Sequence, residues 1–291
     1  MNDQAEFDSL VPPQSIDRRG FLAAGLGAGF ALAVQPVMAQ TAIATDSKGL
    51  TAGEVQVPVK DGQVSAYRAV PAGKGKAPVV LVVSEIFGAH EYIRDVCRRL
   101  AKQGYFAIAP ELFTRQGDPR QIASIPEIQA KITSRTPDAQ VFADLDACVA
   151  WAGKQGGDIG RLAITGFCWG GRITWLYSAM NPQVKAGVAW YGRLVGAENE
   201  FTPRHPSQLA GSLKAPVLGL YGGLDAGIPL ETVEAMENAL KQGSPAAQAS
   251  QIHVYDNAPH AFHADYRPSY RKEEAEDGWK RMLAWFHQHG I

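Results

Sequence analysis

The sequence lacks most of the features that mark metal-binding, redox or nucleic-acid-binding proteins. It has 291 residues but only three cysteines, Cys97, Cys148 and Cys168, an odd set with neither zinc-ligand spacing nor a Cys-x-x-Cys pair. Its 28 Lys and Arg residues and 29 Asp and Glu residues give a net charge of −1, which provides no electrostatic case for binding nucleic acid or a membrane surface. It also has no internal repeat and no low-complexity tract. We therefore expect three free thiols and no metal or organic cofactor.

The first 39 residues differ in character from the rest of the chain. Arg18 and Arg19 precede an apolar, Gly- and Ala-rich stretch from Gly20 to Val34, and small residues follow up to Ala39. This pattern resembles a twin-arginine export signal that is cleaved after Ala39. The alternative is an N-terminal membrane anchor, but the apolar stretch is shorter than the roughly 20 residues that span a bilayer. We expect a periplasmic or secreted protein with no stable membrane insertion once the signal is removed.

The remainder is predicted to form one α/β domain over residues 54–291, after a linker over residues 40–53. The continuous apolar run Val79–Val83 is typical of a strand that is buried on both faces. Such strands alternate with amphipathic helices to the end of the chain, which predicts a mostly parallel central sheet with helices on both faces. Ligands of such folds bind at the carboxyl ends of the strands.

The most informative segment is the hexapeptide Gly166–Gly171, which follows a short apolar run and contains Cys168. It has the Gly-x-Ser-x-Gly pattern of a nucleophile elbow, with cysteine in place of serine. The flanking glycines permit a sharp strand-to-helix turn, and the helix N-terminus favours a thiolate and a developing oxyanion. The alternative is a buried structural cysteine in an ordinary glycine-rich turn.

Two further residues complete a nucleophile, acid and base in the chain order that this pattern requires. Asp225 follows a buried strand over residues 216–221, and His260 follows another over residues 251–255. Each of the three residues therefore stands just past the carboxyl end of a predicted strand. Asp225 as a turn residue and His260 as a loop histidine bonded to the backbone are the alternatives.

These motifs resemble the dienelactone hydrolase family (carboxymethylenebutenolidases and relatives) of the α/β-hydrolase superfamily. The resemblance runs from about Glu54 to the C terminus. It is carried by the cysteine elbow Gly166–Gly171 and by the segments Ser84–Gly88, Gly223–Asp225 and Pro259–Phe262. It implies an α/β-hydrolase fold and hydrolysis of an ester or enol-lactone bond through a thioester acyl-enzyme.

The resemblance also implies a role for each matching residue. Cys168 would attack the carbonyl carbon, His260 would act as base, and Asp225 would orient the imidazole. The backbone N–H groups of Ile86 and Trp169 would form the oxyanion hole.

Glu85 matches a glutamate that contacts the thiol in the resting enzymes of the family and moves when substrate binds. The alternative is a structural carboxylate paired with Arg94 or Arg172, because a carboxylate at the end of a buried strand is costly unless it is paired.

The substrate-binding residues match the family less completely. Arg115 matches one of two family arginines that hold a substrate carboxylate, but the second position is occupied by Ala264 and is followed by Asp265. The motifs therefore imply the hydrolase chemistry, but they do not imply that dienelactone is the substrate. A broad short-chain carboxylesterase is therefore an alternative, as is a non-catalytic protein that binds small molecules.

Aromatic residues near the predicted strand ends are candidates for the substrate pocket. Phe87, Tyr191 and Phe262 are predicted to line it, with packing in the core as the alternative for each. His205 is expected on a surface segment. We expect a small-molecule ester or lactone substrate, no nucleic-acid partner, and a monomer or small homo-oligomer.

Overall fold

The structure is a computed structural model that describes residues 41–73 and 75–291. The predicted export signal over residues 1–39 lies outside the described residues.

The described residues form one α/β domain around an eight-stranded sheet, as predicted. The strands are β1 (Leu50–Val59), β2 (Gly62–Pro71), β3 (Ala77–Val83), β4 (Phe106–Pro110), β5 (Gly157–Phe167), β6 (Val184–Trp190), β7 (Val217–Gly222) and β8 (Gln251–Tyr255). Their order across the sheet is β1-β2-β4-β3-β5-β6-β7-β8. β1 and β2 form an antiparallel hairpin, and β2 pairs antiparallel with β4. The six strands from β4 to β8 in this order are parallel, so their carboxyl ends meet at one edge.

In the described part of the chain, seven α-helices connect or follow the strands. They are α1 (Glu91–Lys102), α2 (Ile125–Lys131), α3 (Asp138–Lys154), α4 (Trp169–Met180), α5 (Leu230–Lys241), α6 (Pro245–Gln248) and α7 (Lys272–Gln288). Short 3₁₀ helices cover Pro119–Gln121, Thr133–Arg135 and Pro206–Ser212. No helix within 41–73 and 75–291 has both the length and the apolar character needed to cross a membrane.

Strand β3 shows why the sheet is covered on both faces. Val80 and Val82 belong to one apolar layer, whereas Val79, Leu81 and Val83 belong to the layer on the opposite side, because successive side chains of a strand alternate. The first layer is completed by α1, α5 and α7 and the second by α3, while α4 contributes to both. Burial on both faces accounts for the uninterrupted apolar run in the sequence.

The segment predicted as a linker is part of the domain, so the predicted boundary at residue 54 was wrong. β1 begins at Leu50, and the residues before it are bonded to α1. The Thr45 N–H donates to Asp95 Oδ1 at 2.5 Å, and Arg98 Nε donates to the Thr45 carbonyl oxygen at 2.7 Å. These tertiary contacts involve no local apolar pattern, and the alternation in β1 is interrupted by Gly53, so no local signal indicated them.

The turn from β5 into α4 is held by close backbone packing. Cys168 stands between the two elements with φ 54° and ψ −116°, a conformation that is strained for a residue with a side chain. A Cβ atom at Gly170 would lie 2.3 Å from the Val83 carbonyl oxygen, and one at Gly171 would lie 2.5 Å from the Trp190 carbonyl oxygen. The glycines therefore let the start of α4 sit directly against the strands on either side of β5.

Replacing Gly170 by Ala should lower the free energy of unfolding by roughly 2–4 kcal/mol, because the new Cβ meets backbone that cannot move aside. Urea denaturation of the purified protein measures the change. Gly211→Ala is the matched control, since a Cβ there meets nothing within 4 Å, and it should stay within about 0.5 kcal/mol of the original protein. Equal effects of the two substitutions would contradict the packing argument.

Candidate active site

Three neighbouring parallel strands deliver one residue each to the carboxyl edge of the sheet. Val83 of β3 pairs with Gly166 of β5, and two residues beyond this pair the chains reach Glu85 and Cys168. The register of β5 with β6 places Tyr191 opposite Cys168 on the other side. Glu85, Cys168 and Tyr191 therefore follow one another across the edge of the sheet.

Backbone strain is concentrated at this edge. Among the residues that the structure describes, the non-glycine residues with positive φ are Cys168 at 54°, Tyr191 at 38° and Ala261 at 58°. Ala261 directly follows His260. Strained residues persist only where the surroundings hold them, and they cluster at functional sites. The Cys168 N–H donates to the Trp190 carbonyl oxygen at 3.0 Å, which is one such restraint.

His260 and Asp225 form a buried pair. His260 Nδ1 lies 2.6 Å from Asp225 Oδ2, and the two side chains are 0% and 1% exposed. The other carboxylate oxygen of Asp225 accepts the backbone N–H groups of Gly227 at 2.9 Å and Ile228 at 3.2 Å. Asp225 therefore serves both as a turn residue and as the partner of the imidazole. His260 Nδ1 therefore contacts a carboxylate. The alternative, a loop histidine, required a hydrogen bond to the backbone instead.

The surroundings of His260 favour its charged form. Burial by itself lowers the pKa of the imidazole, but the charges of Asp225 and Cys168 outweigh burial and raise the pKa to about 10. His260 Nε2, the nitrogen that is not bonded to Asp225, makes no hydrogen bond in the described part of the chain. Cys168 and His260 both lie next to Tyr191 at this edge of the sheet. Tyr191 adjoins them, with its ring centroid 5.2 Å from that of His260.

Glu85 is buried beside this group and has partners that the sequence did not indicate. His90 Nε2 lies 3.1 Å from Glu85 Oε2, and the Tyr266 hydroxyl donates to the same oxygen at 2.9 Å. His90 stands directly before α1, five residues after Glu85, and Tyr266 lies on the loop between β8 and α7. The only sequence signal for His90 was its closeness to Glu85, and the only one for Tyr266 was its closeness to His260.

The two arginines considered as partners of Glu85 are engaged elsewhere. Arg94 donates to Glu54 at 2.5 Å, and Arg172 makes two hydrogen bonds of 2.7 Å to Asp138. The alternative interpretation, an ion pair of Glu85 with either arginine, is therefore not what the structure has.

A cleft of about 450 Å³ opens beside the elbow. Ile86 and Trp169, the two predicted oxyanion donors, both line it. Trp169 is the first residue of α4, where the backbone N–H has no acceptor within the helix. The other walls come from the segment around α2 and from the loop after β6, with Pro126, Gln129, Ala130, Thr133, Ser134, Arg172, Arg193, Ala197, Asn199, Thr202 and His205.

The residues predicted to bind substrate are not among those that line this cleft. Arg115 donates to Asp61 and Asp144 at 2.6–3.0 Å, so its guanidinium bridges the β1–β2 turn to α3 and is not directed at the elbow. Phe87, Tyr191 and Phe262 are fully buried, as their core-packing alternative required.

His205 was expected on the surface, but it is buried and lines the cleft. Its Nε2 lies 3.0 Å from the Ala197 carbonyl oxygen, and burial lowers the pKa of its imidazole.

Within residues 41–73 and 75–291, no three His, Cys, Asp or Glu side chains are grouped as metal ligands. The absence of a cofactor stays a prediction. The three cysteines are free thiols in the structure, and burial raises the pKa of Cys97 and of Cys148 well above the ordinary value.

Comparison with known proteins identifies relatives over nearly the whole chain. The model of the dienelactone hydrolase family matches residues 64–290. A protein from Methylorubrum extorquens named "putative carboxymethylenebutenolidase" is 58% identical over 288 residues, which are 99% of this chain and 98% of that protein. A relative of the same name from Escherichia coli K12 is 53% identical over 263 residues, with 90% and 96% covered.

Solved structures give the same result for the fold. The crystal structure of a "putative dienelactone hydrolase" from Klebsiella pneumoniae has a TM-score of 0.79 and 57% identity, covering 82% of this chain and 99% of that one. A dienelactone hydrolase-like phosphotriesterase from metagenomic libraries has a TM-score of 0.67 at 23% identity, over 83% of this chain and 99% of that one.

Replacing His260 by Gln should cost less stability as the pH rises. The folded protein holds the imidazole proton up to a pKa of about 10, whereas the unfolded chain releases it near 6.5. The stabilisation is complete below pH 6.5 and is lost as the pH rises toward 10, by at most about 1.4 kcal/mol per pH unit. Urea denaturation of both proteins at pH 6, 7 and 8 measures the difference. A difference that is constant or grows with pH would contradict the charged imidazole.

Proposed function

The chain belongs to the dienelactone hydrolase family, whose chemistry is the hydrolysis of ester and lactone bonds, and we propose that Cys168 is the nucleophile that breaks the bond in this protein. The observation that carries the proposal is the position of Cys168 at a strained strand-to-helix turn beside the buried His260–Asp225 pair. A thiolate needs a neighbouring cation or base to form at neutral pH, and the raised pKa of His260 favours the imidazolium that would accompany it.

In the proposed first step, the Cys168 thiolate attacks the carbonyl carbon of the substrate. The resulting oxyanion would accept hydrogen bonds from the backbone N–H groups of Ile86 and Trp169, two residues that line the cleft. When the carbon–oxygen bond breaks, the His260 imidazolium would donate its proton to the leaving alkoxide, leaving a thioester on Cys168. Asp225 would hold the ring in the orientation and tautomer that this transfer requires.

In the second step, water hydrolyses the thioester. Neutral His260 takes a proton from the water as it adds to the carbonyl carbon, and the carbon–sulfur bond breaks to release the acid and restore the thiolate. With an enol lactone, the leaving oxygen stays tethered to the acyl part, and the enol product becomes a ketone. Esters with good leaving groups and enol lactones suit this nucleophile better than amides.

A broad short-chain carboxylesterase is the second candidate, and the contacts of Arg115 favour it. This arginine is held by Asp61 and Asp144, and the other family arginine position is Ala264. Neither position therefore supports binding of the dienelactone carboxylate. A small ester or lactone remains the proposed substrate class for both candidates.

Replacing Cys168 by Ala should lower kcat/KM for p-nitrophenyl acetate at least about 10³-fold, because the covalent step is lost. Cys148→Ala is the matched control: it removes a buried thiol within the core, and kcat/KM should change by less than about twofold. Hydrolysis by Cys168→Ala at the original rate would rule out the nucleophile.

The same assay with dienelactone separates the two candidates. A similar kcat/KM for dienelactone and p-nitrophenyl acetate is expected of a broad esterase, whereas a strong preference for dienelactone would exclude it.

We further propose export through the twin-arginine route, with cleavage after Ala39 and delivery to the periplasm or the medium. Support comes from Arg18 and Arg19 and from the apolar stretch that follows them. Changing both arginines to lysine should retain the protein in the cytoplasm with its leader uncleaved. Cell fractionation with mass determination of the N terminus measures this outcome, and unchanged export would contradict the proposed route.

A further inference from the structure

The contacts of Glu85 all fall on one of its two carboxylate oxygens. His90 Nε2 and the Tyr266 hydroxyl both contact Oε2, at 3.1 Å and 2.9 Å, and Oε1 has no hydrogen-bond partner among the residues that the structure describes. Glu85 is 1% exposed, so these two donors replace much of the solvation that burial removes. Neither donor belongs to the proposed nucleophile, acid and base.

Both donors are fixed by packing. The His90 ring is stacked on Tyr92 with centroids 5.9 Å apart, and Phe87 and Tyr266 approach its edge or face at 6.2 Å and 5.3 Å. His90 is 2% exposed and Tyr266 is 4% exposed. Their side chains come from two different segments, one directly before α1 and the other after β8. The oxygen of Glu85 is thus held between rigid elements.

The position of Glu85 matters because the strand register sets it beside Cys168. A carboxylate that is free to turn toward a neighbouring thiol accepts the S–H proton in a hydrogen bond, and its negative charge disfavours the thiolate. No hydrogen bond joins Glu85 to Cys168 in the described part of the chain. The carboxylate is instead hydrogen-bonded to His90 and Tyr266.

Several charged and titratable groups lie around Glu85. Besides burial, the charge of Glu85 raises the pKa of Tyr92, Tyr191 and Tyr266. The positive charge of Arg267 acts in the opposite direction on Tyr191 and Tyr266. The carboxylate of Glu85 therefore acts on all three phenols.

We propose that His90 and Tyr266 are positioning residues that hold the Glu85 carboxylate away from the Cys168 sulfur, so that the sulfur is left to His260. In this arrangement Glu85 makes no hydrogen bond to the sulfur as long as both hydrogen bonds to Oε2 are kept. Turning Glu85 toward the sulfur would break both hydrogen bonds to Oε2. The inference rests on the proposed role of Cys168 as nucleophile.

The test is a double-mutant cycle that follows alkylation of Cys168 by iodoacetamide at pH 7, measured by mass spectrometry of the Cys168 peptide. His90→Leu should slow alkylation about tenfold, because the released carboxylate can bond to the thiol. In a Glu85→Gln background, the same His90→Leu change should alter the rate by less than twofold. Equal losses in both backgrounds would show a merely structural role and overturn the proposal, as would an unchanged rate in folded His90→Leu.

Two further variants guard against misfolding. His90→Gln can place an amide N–H near the position of Nε2, and it should keep the rate within about threefold. Tyr266→Phe keeps the ring and loses only the hydroxyl, and it should slow alkylation in the same direction as His90→Leu.

Tyr255→Phe is the matched control, since the Tyr255 hydroxyl donates to Asp277 at 2.7 Å in another part of the molecule. It should leave the rate unchanged. An equal effect of the two tyrosine substitutions would overturn the proposal.

Alkylation requires no turnover, so the cycle can fail while Cys168→Ala still abolishes hydrolysis. Conversely, persistent hydrolysis by Cys168→Ala would reject the proposed nucleophile while the alkylation cycle still reports how Glu85 is held.

Discussion

The site depends on how closely the turn at Cys168 packs against the strands beside it. The start of α4 lies so near to β3 and β6 that a single added carbon at Gly170 or Gly171 would overlap a backbone carbonyl. This proximity lets Cys168 keep a conformation that a free chain would avoid, and it fixes the distances from the sulfur to both neighbouring strand ends. The residues that follow those strands, Glu85 and Tyr191, are located by the same packing.

Several buried carboxylates hold the loops around this turn in place. Asp225 binds the imidazole of His260 and two backbone N–H groups, while Asp138 binds Arg172 at the wall of the cleft. Glu85 instead accepts hydrogen bonds from a histidine and a tyrosine that come from two different segments. In the proposed mechanism, His260 is the group that balances a charge on the sulfur.

Much of this could be predicted because the decisive signals are local. The apolar run of β3, the glycines of the elbow and the order of Cys168, Asp225 and His260 are all readable within a few residues. The partners of long polar side chains are not local. Arg115 was assigned to substrate, yet Asp61 and Asp144 hold it from distant parts of the chain. His205 was predicted at the surface because the sequence around it does not show the tertiary packing that buries it.

The segment that leads into β1 has a practical consequence for anyone who trims the protein. The family match begins at residue 64, inside β2, and an expression clone that starts there would lose β1 entirely. Even a clone that starts at Leu50 would remove the Thr45 amide from Asp95, a carboxylate that is 1% exposed. The shortened polypeptide would lose both Thr45 donors to Asp95, whose remaining partners would be Arg98 and Arg99 of α1. Shortened versions should therefore retain the residues from Thr41 onward.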